Sequence, residues 1–114
     1  MSEVAQEAQV GYVMLMKLTR EGAAEYVESL HAQMGEIQAA MENLGGTMTI
    51  VATLGEWDMV ATGQAPSDEQ IAWFAAKLSA GGGVTVTTMR AFSPSQWRER
   101  VCLLAWPTGH PFGH

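Results

Sequence analysis

Residues 47–64, TMTIVATLGEWDMVATGQ, decide the fold. Met48, Ile50 and Ala52 alternate with Thr47, Thr49, Val51 and Thr53, the period of two that belongs to a strand. LGEW follows, and residues 58–64 make a second run. Two such runs joined by a short polar turn pair as an antiparallel hairpin. What flanks the hairpin then sets the class of the domain.

Upstream, Ala23, Val27, Leu30, Met34, Ile37, Met41 and Leu44 recur at spacings of four and three, with Glu21, Glu25, Glu28, Gln33 and Glu42 off that stripe. The pattern predicts one amphipathic helix of roughly six turns, laid on a sheet. Thr19 can cap it, and Gly45-Gly46 stops it. Downstream, Ser67 and Gln70 have capping-box spacing, and Ile71, Phe74, Ala75 and Leu78 form the stripe of a second helix that glycines 81–83 end. Residues 11–18, GYVMLMKL, are apolar on both alternating sets except at Lys17, which reads as a strand buried on both faces. Residues 84–92 supply the last strand, with Val84, Val86 and Thr88 set against Thr85, Thr87 and Met89.

The order βαββαβ is the split-βαβ, ferredoxin-like plan: an α+β domain with a four-stranded antiparallel sheet and both helices on one face. Every strand carries Val, Met, Ile or Ala on both sets, so the second face is expected to be covered too. A second sheet does that, which makes the chain a homodimer or higher oligomer. Residues 1–10 have no period and read as a flexible arm before the domain at 11–92. In residues 93–114, Ser93-Pro94-Ser95-Gln96 starts a short helix carrying Trp97, Val101 and Leu104, and AWPTGHPFGH is irregular. Trp106, Pro107, Pro111 and Phe112 are costly to leave in water, so this tail is expected to lie against a neighbouring subunit or across the domain.

At 114 residues and 12.3 kDa the chain holds one domain, and a core this small makes oligomerisation a common remedy. Six basic residues against twelve acidic ones give a net charge of −6, and Lys17, Arg20, Lys77, Arg90, Arg98 and Arg100 draw no basic stripe. That argues against a nucleic-acid partner and against an anionic membrane surface. Cys102 is the single cysteine, so neither an intrachain disulfide nor a cysteine metal box is expected. The acidic start lacks the basic and apolar regions of a signal peptide, and the default expectation is a cytoplasmic protein.

The chain from Tyr12 to about Arg100 resembles the GYD-domain family, small proteins with a dimeric α/β-barrel fold. The matching segments are YVMLMKLTREG, ENLGGT, LGEWDMVATGQAPSDE and TVTTMRAFS. The most specific is Gly55-Glu56-Trp57-Asp58, the counterpart of the Gly-X-Tyr-Asp signature, with Trp57 where the family has tyrosine. The long helix differs as well: SLHAQM runs on where a Ser-Pro break is expected, which predicts an unbroken helix. The resemblance implies a fold and an oligomer but no reaction. Relatives by fold include small monooxygenases, lactone isomerases, haem-handling enzymes and amino-acid-sensing regulatory domains, and one architecture hosts many chemistries.

The candidate catalytic residues are His31, Glu56 and Asp58; the candidate ligand-binding residues are Trp57, Tyr12, Lys17 and Arg90. Gly55 and Asp58 suit a tight turn, while Trp57 and Asp58 could equally frame a pocket mouth with Glu56 as acid or base. His31 is either a helix-surface residue or a base or haem ligand facing a cavity between helix and sheet, with Gly35 one turn on as a point of close approach. Lys17 and Arg90 are the charges inside the first and last strands. Lys17 could pair with Asp58 at an interface, or the two cations could hold a carboxylate ligand. Cys102, His110 and His114 match no zinc spacing, and glycines 81–83 lack the Lys-Ser/Thr of a phosphate loop. The methionines, Met14, Met16, Met34, Met41, Met48, Met59 and Met89, read as an adaptable core or the lining for an apolar ligand.

No metal or tightly bound cofactor is expected, with haem through His31 as an alternative. Three function classes stay open: a binding or assembly module, a cofactor-independent isomerase or monooxygenase-like enzyme, and a haem or metal handler. The expected partners are a second copy of the chain and a small apolar or carboxylate ligand.

Overall fold

The computed structural model describes residues 9–26 and 29–102. Strands β1 (Val10–Leu18), β2 (Thr47–Ala52), β3 (Met59–Ala65) and β4 (Val84–Ala91) form one antiparallel sheet in the order β2-β3-β1-β4. Helices α1 (Arg20–Tyr26) and α2 (Leu30–Asn43) follow β1, and α3 (Asp68–Ala80) joins β3 to β4. A single turn, α4 (Pro94–Gln96), runs into a wider π-helical segment, Trp97–Cys102. The ferredoxin-like expectation holds. The expected arm lies almost wholly, and the expected tail with Leu104 wholly, outside the described residues.

Alternation sorts the strands into two faces. Tyr12, Met14 and Met16 of β1, Met59, Ala61 and Ala65 of β3, Met48 and Val84 point towards the helices, where Ile37, Met41, Ile71 and Phe74 meet them. Four of the five largest fully buried side chains are methionines, Met14, Met16, Met41 and Met59. Unbranched thioethers fill the irregular space where helices cross a twisted sheet. α2 covers the β2 side and α3 the β4 side.

The opposite face carries Val13, Leu15 and Lys17, Val60, Thr62 and Gln64, Thr47, Thr49 and Val51, and Thr85, Thr87 and Met89. Val51 is 49% and Met89 44% exposed, so no element among the described residues covers this face. It is more mixed than the alternation suggested: one row runs Val51, Val60, Leu15 and Thr87 and the next Thr49, Thr62, Val13 and Met89, so threonines stand among the apolar residues.

The expected unbroken helix is instead two. Ser29, at φ −118° and ψ 22°, has left the helical region and stands at the N-cap of α2. Its backbone carbonyl accepts the first helical bond, from Gln33 N–H at 3.0 Å, while its side chain makes no cap bond. The 4-3 stripe reports which face is apolar, not whether the backbone bonds run on. Val27 of that stripe and Glu28 beside it lie outside the described residues. At its other end α2 closes in a Schellman turn, Gly45 N–H donating to Glu42 O at 3.0 Å and Gly46 N–H to Met41 O at 3.1 Å.

The capping box expected at Ser67 is half made: Ser67 Oγ accepts from Gln70 N–H, while Gln70 Oε1 has no partner among the described residues. The complete box is at Ser93 and Gln96.

Tyr12 fastens three strands. From β1 it pairs with Gly63 of β3, and its Oη donates to Thr47 O of β2 at 2.6 Å. Burial pushes its phenol up to about 12 from the usual 10.0. Tyr12 therefore stays protonated in the folded chain where an unfolded tyrosine ionises. The stability it contributes is complete below pH 10 and is lost as pH rises through 10 towards about 12. Denaturation midpoints followed across that window should fall more steeply for the wild type than for Tyr12→Phe. Parallel curves would show that Tyr12 is not the group responsible.

Candidate functional site

The signature loop closes on itself. Thr53 N–H donates to Asp58 O at 3.0 Å, and Thr53 Oγ1 donates to Trp57 O. Asp58 N–H then donates to Met16 O at 2.9 Å, and Asp58 Oδ2 accepts Leu18 N–H at 2.8 Å. The Asp58 carboxylate thus stands in for a strand at the end of β1, a charge-assisted bond satisfying an otherwise orphaned donor. Trp57 is half-buried, and Lys17 Nζ lies 5.8 Å from its ring centroid. The expected meeting of Lys17 with Asp58 is therefore replaced by Lys17 with Trp57, because Asp58 turns to the Leu18 amide. Leu54, Gly55 and Glu56 are exposed at the tip.

Gly55 sits at φ +131°, and a Cβ there would meet nothing within 4 Å. A side chain is thus opposed by backbone strain alone. Gly55→Val should cost about 1–3 kcal/mol. A denaturant midpoint equal to that of the wild type would show that the turn does not need this glycine.

Lys17 and Arg90 do belong to adjacent strands, but the register separates them. Lys17 pairs with Thr85 at one end of the sheet and Arg90 with Tyr12 at the other, on opposite faces. They cannot grip one carboxylate. Arg90 instead binds Asp68 of α3 at 2.9 Å and lies 4.9 Å from the Phe92 centroid, which meets Trp97 edge-on at 5.9 Å. It clasps the start of α3 to the C-terminal turn.

At this Arg90 end of the open face lies a cleft of about 420 Å³, bounded by Gly11, Val13, Thr62, Gln64 and Phe92, with Gln96 at its margin. None of its lining side chains is charged. Hydroxyls and amides there can hydrogen-bond a guest but cannot take a proton at neutral pH. Tyr12 is the one sequence candidate in the lining, and its hydroxyl is already spent on Thr47.

A second cleft of about 220 Å³ lies between α2 and α3, where Gln33, Glu36 and Ile37 face Leu78 and Val84. His31 is exposed on α2 and lines neither cleft. It offers no enclosed axial position, so the residues present do not fit haem. A Cβ on Gly35 would meet nothing within 4 Å, so the expected close approach there is absent. Among the described residues no three His, Cys, Asp or Glu side chains gather as metal ligands; His110 and His114 lie outside them. No helix among them is long and apolar enough to cross a membrane.

The sequence candidates therefore fall into three separate places: Lys17, Glu56, Trp57 and Asp58 at the loop end, Tyr12 and Arg90 at the other, and His31 on α2. Thr62, Gln64, Phe92 and Gln96 were not legible as a group, since neutral residues from three segments leave no local signal. Comparison with curated proteins finds no match, and comparison with solved structures finds none. The family model of the GYD domain matches residues 12–101, from the strand that carries Tyr12 through the π-helical segment. The chain belongs to the GYD-domain family.

Proposed function

We propose that the chain is a homo-oligomeric binding or assembly module, whose open sheet face is covered by a second copy. The observation that carries this reading is the apolar band of that face, Val13, Leu15, Val51, Val60 and Met89, over which no element among the described residues is laid. Apolar surface gains about 25 cal/mol for each Å² removed from water, and exposed β-branched rows invite pairing. The separation of the candidate acids and bases favours assembly over catalysis. Among the described residues no charged side chain is buried. No tightly bound cofactor enters this reading, and a cytoplasmic setting suits a chain with a single cysteine.

A small apolar ligand remains compatible with the cleft between α2 and α3, whose one ionisable lining residue, Glu36, would make it the acid or base of any enzyme activity. Sedimentation equilibrium tests the main reading. A reversible dimer or larger species at micromolar concentration is expected. A wild-type chain that stays monomeric and soluble there overturns it.

A further inference from the structure

We infer that the two copies stack with their strands antiparallel, so that the Leu54 loop of each fills the Phe92 cleft of the other. This rests on the reading that a second copy covers the open face, and it adds which end of one sheet meets which end of its partner. Three observations carry it.

The first is shape. Leu54, at the tip of the β2–β3 loop, is fully exposed, and no packing among the described residues accounts for a leucine there. It protrudes at the Lys17 end, whereas the cleft of about 420 Å³ is hollowed at the Gly11 end. Antiparallel stacking about a twofold axis brings each protrusion to the opposite hollow, twice. Such an isologous contact closes on itself.

The second is charge. Lys17 is the one charged side chain on the open face among the described strand residues. Parallel stacking sets the two Lys17 ends together and opposes like charges. Antiparallel stacking sets each Lys17 against the uncharged end built from Gly11, Thr62 and Gln64.

The third is area. With strands about 4.8 Å apart and a rise of about 3.3 Å per residue, the open face measures roughly 440 Å² in plan. A standard interface takes about 800 Å² from each partner. That figure is accessible surface, which exceeds plan area for the same patch, and contacts at the ends of the sheet, where the loop and the Phe92 cleft stand, add to what the face itself buries.

The test is a cross-link. In a Cys102→Ser background, Leu54→Cys together with Gln64→Cys should give a covalent dimer with a short bismaleimide, while Leu54→Cys alone should not. The two positions lie at opposite ends of one sheet, so a link between them joins two copies. Leu54→Asp, at a fully exposed site, should keep the fold and raise the dimer Kd about tenfold or more. Self-linking of Leu54→Cys, or an unchanged Kd for Leu54→Asp, overturns the antiparallel arrangement while leaving the dimer standing. A wild-type monomer in sedimentation overturns both.

Discussion

Gly63→Ala should remove about 3 kcal/mol or more of stability, enough to leave a domain of this size largely unfolded at moderate denaturant. A Cβ at that position would stand 2.0 Å from Thr47 O, 2.7 Å from Thr47 C and 2.9 Å from Tyr12 Oη. Two of those atoms are backbone, so no rotamer change clears them. Relief requires β2 to move away from β3, which breaks the Tyr12–Thr47 bond that joins three strands. Gly35→Ala is the natural control. Gly35 lies in α2 with open space where its Cβ would go, and alanine there should stabilise by about 0.5–1 kcal/mol. Denaturant melts of the two variants should move in opposite directions. A Gly63→Ala midpoint equal to that of the wild type would mean that the strands have room that the geometry denies.

The contrast between these glycines bears on what the sequence could reveal. Both interrupt apolar patterns, and from sequence Gly35 looked like the point of close approach. Gly35 has open space, whereas Gly63 is one of several glycines at a close approach, because Thr47 of β2 and Tyr12 of β1, both distant in the chain, crowd it. Such contacts depend on strand register, which alternation alone does not give. The same limit explains Lys17 and Arg90. Their membership of adjacent strands was readable, but antiparallel pairing sends them to opposite ends. The elements themselves were readable, because an alternation of two and a stripe of four and three are local. The break at Ser29 was not, since the stripe resumes at Leu30. Asp58 was readable as a turn residue bonding a nearby backbone N–H, but the N–H its side chain takes is that of Leu18 on β1, forty positions away, which no local pattern shows. The threonines misled in another way. They count as polar in an alternation, yet their β-branched form suits a strand on either face, so the open face came out less apolar than expected.

Ile50 and Val51, neighbours on β2, separate folding from assembly. They point to opposite faces, with Ile50 packed against the core and Val51 on the open side. Ile50→Asp puts a carboxylate beside the methionine core, where no described cation is buried to receive it. It should cost several kcal/mol and unfold the chain, because an unpaired charge cannot be left in such a place. Val51 is half-exposed, so Val51→Asp can keep its carboxylate in water and the fold should survive, with a thermal midpoint close to that of the wild type and unchanged far-UV dichroism. Its effect is expected in the association. A charge in the apolar row that Val51 shares with Val60 and Leu15 should weaken dimerisation by about a hundredfold once that row is covered, since burying one unpaired carboxylate outweighs the few kcal/mol that neighbouring apolar contacts return. Each variant is read by two measurements, circular dichroism for the fold and sedimentation for the mass. Val51→Asp that is folded and monomeric, beside Ile50→Asp that is unfolded, is the expected pair. A folded Val51→Asp with wild-type mass would mean that any assembly uses another surface and that the open face is bare in solution.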